Sequence, residues 1–377
     1  MKPARRNANF RKPPVLVVHE TGGQKYFEAI TWLGAQGRID GPRYFEFRVV
    51  RLMLSQLLKQ RLPLLPVLAQ TFKNALFRLR VPFVRGHVIV LGMAPWDARL
   101  LWYRLLARRN AVIYHTPWTE WTVNAVPHRY GAFTSFMRRV WLRFLSQPHV
   151  RVVAVTPAVA AGFKSATGFD AVTISHVVSD VFFDVCSDVC IDTVGLLFVG
   201  QLLPQKGVRL LSAILARAGD GTNLGIVGDG PCRNEIAAAA ATNDRIHYYG
   251  PIADRAQLAA IIARHHILLV PSLRTPKWQE LFGMVIPEAM AAGLVVIASD
   301  HVGPRAILAE GGGLMVEEGN VEAIAAHIAR LRDDPALWKQ LSSAARRIAR
   351  EYSVSELAEK WQQILESASE ALDGEKR

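Results

Sequence analysis

The chain has 377 residues, half of them hydrophobic and one fifth charged, which suggests two or three domains with substantial cores. Its 45 lysines and arginines exceed its 32 acidic residues, giving a net charge of +13. The three cysteines, Cys186, Cys190 and Cys232, exclude a disulfide framework and point to a reducing compartment, and no apolar run approaches the ~20 residues of a membrane-spanning helix.

Residues 1–12 are basic and polar and lack the apolar core of a secretory signal. A first block of β-rich runs follows at 15–19, 87–93, 111–116, 150–156 and 171–177, with helical patterns between them. Gly22 and Gly23 follow the first run, where glycine either lets the backbone approach a phosphate or acceptor or simply makes a tight turn. His19 closes the first run and His115 the third. Residues 43–85 carry nine basic side chains against the single acid Glu46, interleaved with leucine and phenylalanine. They read as basic amphipathic helices suited to an anionic membrane surface, or else as core-facing helices with solvated charges. Residues 136–144, with Arg138, Arg139, Trp141 and Arg143, are a second basic-aromatic segment. The charge is uneven: residues 1–185 hold 26 basic and 9 acidic side chains, whereas residues 186–377 hold 19 and 23. An anionic partner is therefore expected for the first half alone. No nucleic-acid motif accompanies that charge.

The polar stretch 179–192 has no clear periodicity and marks a boundary. Cys186 and Cys190 within it have no histidine pair to complete a metal site. Beyond it, runs at 195–201, 223–227, 246–249, 267–271 and 295–298 alternate with helical patterns at 207–218, 255–264 and 321–331. Alternating strand and helix implies parallel sheets covered on both faces. Two such blocks imply paired Rossmann-like domains with ligands at the C-terminal strand ends.

Residues 280–293 read ELFGMVIPEAMAAG and carry the most information. Pro287 has no N–H and is tolerated only in the first turn of a helix, so a helix is expected to begin near Gly283. The N–H groups of Gly283, Met284 and Val285 would then form an anion-binding end. Glu280 precedes that end and Glu288 lies about one turn inside it. A phosphate at the helix start would have a carboxylate on either side to hold sugar hydroxyls, the layout that a nucleotide-sugar needs.

The E-x(7)-E spacing followed by EAMAAG resembles the signature of the family-4 retaining glycosyltransferases with the GT-B fold. Residues 200–207, 225–231, 249–250, 270–272 and 299–304 hold further motifs in that family's order, so the resemblance covers about residues 194–353. The first half is similar only through Gly22, Gly23 and His115. The resemblance implies an α/β fold of two Rossmann-like domains facing across a cleft. Residues 1–180 would be the acceptor and membrane-facing domain, 181–192 a linker, 193–352 the nucleotide-sugar-binding domain and 353–377 a helix crossing back to the first domain.

The resemblance also implies roles. Glu280, Lys206 and His115 would be catalytic: Glu280 on hydroxyls of the transferred sugar, Lys206 as the cation on the leaving diphosphate, His115 on the donor sugar or the acceptor. Glu288 would hold the ribose. Gly283, Met284, Val285, Gly200, Gly228, Gly250, Gln201 and Arg274 would line the donor site, with Gly22 and Gly23 as an acceptor or phosphate loop. Gln201 stands where the family usually has arginine, a departure that either weakens the donor clamp or shifts its work to Lys206 and Arg274. No D-x-D motif occurs, so neither a metal nor another cofactor is expected. No carboxylate is identifiable as a covalent nucleophile, which favours same-face attack with a β-phosphate oxygen receiving the acceptor proton. The expected activity is transfer of a hexose from a UDP- or GDP-sugar to a lipid-linked saccharide in bacterial exopolysaccharide or cell-surface glycan assembly. It would take place in the cytoplasm, at the inner face of the membrane. Alternatives are a phospholipid or lipopolysaccharide-core acceptor, a non-catalytic nucleotide-sugar-binding scaffold subunit, or an epimerase or phosphorylase.

Overall fold

The computed structural model describes residues 12, 14–20, 23–47, 64–118, 121, 130–187, 193–276 and 278–374. The chain divides into two compact units, Met1–Val177 with Leu357–Arg377, and Val178–Glu356. Each is built on a six-stranded parallel sheet, the two-domain α/β architecture of GT-B proteins.

The first sheet comprises β1 (Pro14–His19), β2 (Asp40–Glu46), β3 (Val88–Gly92), β4 (Ala111–Thr116), β5 (Val150–Ala154) and β6 (Val172–Thr173), in the order β2-β1-β3-β4-β5-β6. Every residue of β3 and β4 is buried, as expected of central strands covered on both faces. Trp96, Tyr114, Trp141, Phe144 and Phe163 pack the core of this unit. Residues 357–377 belong to it, and Trp361, 2% exposed, sets its ring 5.7 Å from that of Phe27.

The second sheet comprises β7 (Val194–Val199), β8 (Thr222–Val227), β9 (Ile246–Gly250), β10 (Ile267–Val270), β11 (Val295–Ser299) and β12 (Gly313–Val316), in the order β12-β11-β10-β7-β8-β9. Its strands alternate between two cores. Leu196, Phe198, Leu224, Ile226, Leu269 and Ile297 face one, and Leu197, Val227, Leu268, Val270, Val296 and Ala298 face the other.

Four details differ from the sequence reading. The edge strands β2 and β12 were not expected. Consequently Arg43 lies in a strand rather than an amphipathic helix; of the rest of the 43–85 segment, residues 48–63 lie outside the described residues. The division falls at Val178 rather than within 181–192, because Val178 and Phe182 are buried in the second unit's core and the Val178 N–H donates to the Tyr352 carbonyl at 2.8 Å. Residues 188–192 of the expected linker are outside the described residues. The pattern at 207–218 is a 3-10 turn, Val208–Leu210, followed by the helix Leu211–Arg217. Among the described residues no helix is long and apolar enough to cross a membrane.

Candidate active site

In the second unit, the loops at the C-terminal ends of the strands pack backbone against backbone. The Gly200 N–H donates to the Val227 carbonyl at 3.0 Å and the Gly228 N–H to the Gly250 carbonyl at 2.9 Å. Gly228 has φ of +144°, and a Cβ there would lie 1.8 Å from the Gly200 carbonyl oxygen. Gly207, at φ of +72°, comes equally close to the Pro271 carbonyl. Only glycine fits these two positions, sterically and conformationally. Gly200, Gly228 and Gly250 are therefore gathered at one end of the sheet.

Lys206 ends the 3-10 turn Pro204–Lys206. Its ammonium donates to the Glu280 carboxylate, 74 residues away in sequence, and lies 5.0 Å from the centre of the Trp278 ring. The Ser272 hydroxyl donates to the same carboxylate oxygen at 3.4 Å. The Glu280 side chain is 10% exposed and that of Lys206 23%. A charge pair at this depth interacts strongly but tolerates the loss of neither partner.

The backbone of Glu280 is clamped on both sides. Its N–H donates to His301 Nδ1 at 3.2 Å, and its carbonyl accepts from the Gly303 N–H at 3.0 Å. His301 Nε2 lies 3.0 Å from the Ser272 carbonyl and 3.6 Å from Glu318. Arg274 donates its backbone N–H to Glu318 at 2.7 Å and its guanidinium to the Asp300 carbonyl at 3.3 Å. It is thereby held beside the site. Gln201 is exposed, and its side chain makes no hydrogen bond among the described residues.

The helix expected to begin near Gly283 begins at Val285 and runs to Ala291. Gly283 takes φ of +73°, a left-handed conformation that ends the preceding loop and cannot start a helix. Its carbonyl accepts from the Ile286 N–H at 2.8 Å. Pro287 is thus the third helical residue, and the N–H groups of Gly283, Met284 and Val285 have no backbone acceptor among the described residues. Glu288 is half-buried in the first turn. A lysine cation, a buried carboxylate and open N–H groups within one unit can together hold a phosphate and sugar hydroxyls.

His115 and Gly23 belong to the first unit. His115 is the penultimate residue of β4, 4% exposed, with its ring 4.9 Å from that of Phe27 and 6.1 Å from that of His176. Burial, then His176 and His19, hold it far below the usual histidine range, so it is neutral at pH 7. Its buried Nδ1 has no hydrogen-bond partner among the described residues. His176 is lowered to about 4 by burial and His19. Beside them, His19 lies over Gly92, where a Cβ would meet its ring at 2.2 Å. Gly23 opens a one-turn helix, packed so that a Cβ would sit 3.3 Å from His19. Gly22 is outside the described residues.

The first unit also presents an unusual surface. The helix Leu64–Arg80 faces inward through Asn74 and Phe77. Outward it shows Leu65, Leu68, Phe72 and Leu79, three of them at least 70% exposed, with Phe83 close behind at 75%. Lys73, Arg78 and Arg80 share this helix. In the helix Thr134–Leu145, Trp141 and Phe144 are core residues rather than surface anchors, while Phe136, Arg138, Arg139 and Arg143 are exposed. Contiguous exposed apolar side chains of this kind are a feature of interaction surfaces.

Sequence reasoning did not assign roles to Ser272, Trp278, His301 or Glu318. His301 lies in the 299–304 motif, two residues before Gly303, but nothing in that motif marked it as a clamp. Trp278 left no signal.

Residues 192–348 match the model of the family described as "Glycosyl transferases group 1". The GDP-mannose-dependent alpha-mannosyltransferase of Mycolicibacterium smegmatis is 37% identical over 30% of this chain and 27% of that protein. The phosphatidyl-myo-inositol mannosyltransferase of Mycobacterium leprae is 31% identical over 46% of each. The chain spans 18% to 46% of the length of the curated relatives it matches. Among solved structures, Anabaena HepE in complex with UDP superposes with a TM-score of 0.67 at 19% identity, over 94% of this chain and 100% of that one. The second unit is thus similar in sequence to the group 1 glycosyltransferases, and the chain as a whole shares its fold with HepE.

Proposed function

We propose that this protein is a retaining glycosyltransferase that moves a hexose from a UDP- or GDP-sugar to a lipid-linked saccharide in bacterial exopolysaccharide or cell-surface glycan assembly. The Lys206–Glu280 pair beside the glycine-built strand ends carries the reading. As the bond to the anomeric carbon breaks, negative charge grows on the diphosphate. Lys206 and the N–H groups of Met284 and Val285 offset that charge, and Glu280, released from Lys206, accepts hydrogen bonds from hydroxyls of the transferred sugar. Glu288 holds the ribose hydroxyls. His115, kept neutral, contributes a hydrogen bond without charge. Gln201 supplies a polar contact where a cation would bind more strongly, and Arg274 provides the second positive charge. The acceptor hydroxyl attacks on the leaving-group face and passes its proton to a β-phosphate oxygen, with no metal required.

The lipid acceptor is inferred from the exposed apolar and basic face of Leu64–Arg80 and Phe83, together with the basic outer face of Thr134–Leu145. Aromatic rings at the lipid interface and arginines at the headgroups are the pattern of a peripheral membrane protein on an anionic leaflet. The mannosyltransferase of M. leprae, named for a phosphatidylinositol acceptor, is in keeping with a lipid.

The test is donor hydrolysis and transfer with UDP- and GDP-linked hexoses, with and without bacterial lipid extract. Turnover of one donor, stimulated by lipid and lost in Glu280→Ala, is expected. Nucleotide-sugar binding without turnover of any donor would reject the enzyme in favour of a binding subunit. An inverted anomeric centre in the product, read by proton NMR, would reject retention.

A further inference from the structure

Glu280 stands at the end of a loop that leaves β10 at Val270 and carries Ser272, Arg274 and Trp278. All four side chains take part in the site described above, so the shape of this loop determines where they lie. Among its described residues the loop contains little regular structure: a single bridge pairs Thr275 with Trp278. Its two ends are joined instead by one imidazole. His301, 1% exposed and delivered by the turn after β11, accepts the Glu280 N–H on Nδ1 at 3.2 Å and reaches the Ser272 carbonyl with Nε2 at 3.0 Å. A carbonyl only accepts, so Nε2 carries the proton and Nδ1 the lone pair. The same imidazole thus fixes the backbone of the two residues whose side chains meet at Glu280 Oε2.

A second contact from the same turn strengthens the clamp. The Gly303 N–H donates to the Glu280 carbonyl at 3.0 Å, and a Cβ on Gly303 would lie 2.6 Å from the Phe282 nitrogen. The turn after β11 therefore lies directly against the chain at 280–282.

We infer that His301 is a positioning residue: in its Nε2–H tautomer it closes the 272–280 loop and sets the Glu280 carboxylate where the transferred sugar binds. The inference rests on the proposed role of Glu280. Displacing a carboxylate that acts only on the reacting sugar lowers kcat more than it raises KM, and a shift of about 1 Å is enough for a loss of ~100-fold.

Two replacements separate the two nitrogens. In His301→Asn the amide oxygen takes the place of the Nδ1 acceptor, and in His301→Gln the amide nitrogen takes the place of the Nε2 donor. With UDP-glucose and GDP-mannose as probes, His301→Asn is expected to keep kcat within about 3-fold of the parent, and His301→Gln to lose about 10- to 100-fold in kcat with KM nearly unchanged. UDP and GDP binding, measured by calorimetry, should stay the same in both. Full turnover in His301→Gln, or equal losses in both variants, overturns the inference. Glu280→Ala is run beside them: if it also turns over fully, the reading of Glu280 has failed, not the clamp. Nitrogen NMR of the histidine rings in the unaltered protein needs no variant to fold. It should show His301 protonated on Nε2 alone at pH 7.5, and an Nδ1–H tautomer would equally overturn the inference.

Discussion

Removing Lys206 tests whether its contact with Glu280 is a true buried pair. Lys206→Met keeps most of the side-chain volume and leaves the Glu280 carboxylate, 10% exposed, with Ser272 as its remaining partner. Breaking a fully buried pair on one side costs about 3–5 kcal/mol; since Lys206 is 23% exposed and Ser272 remains, about 2–3 kcal/mol is expected. Loss of the cation above the Trp278 ring adds about 0.5–1 kcal/mol. For a unit the size of Val178–Glu356, each kcal/mol lowers the melting temperature by about 2–4 °C, so a drop of about 5–15 °C is expected. Glu280→Gln removes the charge from the other side. The double variant Lys206→Met with Glu280→Gln should regain about 2 kcal/mol relative to additivity, within the range for residues in contact. Circular dichroism melts and urea titrations of the four proteins at pH 7.5 provide the measurement. A Lys206→Met protein that melts within 1–2 °C (roughly 0.5 kcal/mol) of the parent, or a double variant that is simply additive, would refute the pair.

Acid should destabilise both units. Burial lowers His265, together with His266, His247 and Arg264, to about 4, and His176 also lies at about 4. Between pH 6.5 and 4 the unfolded chain binds more protons than the folded one. Stability is therefore full above pH 6.5 and falls as pH drops toward 4, by up to about 3 kcal/mol for each histidine. Urea midpoints that stay flat from pH 7 to 4.5 would contradict this. Gly228→Ala, whose new methyl would collide with the Gly200 carbonyl, should lower stability by more than about 3 kcal/mol and cost most of the soluble yield; near-parental unfolding would show that the loops can part. Gln201→Arg adds a cation at an exposed position and should tighten UDP or GDP binding by about 3- to 10-fold in calorimetry. Phe72→Ser with Leu79→Ser should weaken binding to phosphatidylglycerol vesicles by about tenfold or more, and salt should weaken it further; unchanged binding would dismiss that face as the membrane contact.

The sequence was most informative where periodicity and glycine agree. The central strands β3, β7, β10 and β11 are almost wholly apolar runs and could be read directly. The edge strand β2 reads Asp-Gly-Pro-Arg-Tyr-Phe-Glu, and a strand paired on one side tolerates the glycine and proline that conceal it. β12 has four residues, too few to establish a period. Trp141 was legible only as part of a basic-aromatic segment, because arginines flank it, yet helical spacing turns it inward with Phe144. Lys206 and Glu280 could each be picked out, but their contact could not, because 74 residues of chain separate them. The start of the helix at Val285 was misplaced by two residues because the left-handed backbone of Gly283 leaves no trace beyond the glycine itself. His301 acts through a backbone N–H and a backbone carbonyl, groups that every residue possesses, so nothing in its partners' identities announced it.

The contacts of Gly200 with Gly228 and of Gly207 with Pro271 bear on how the protein could be redesigned. Where main chain meets main chain there is no side chain to exchange, and adding one forces the two segments apart. A library aimed at these floor positions would return mostly misfolded clones. Variation belongs instead at Gln201, an exposed residue whose side chain makes no hydrogen bond among the described residues.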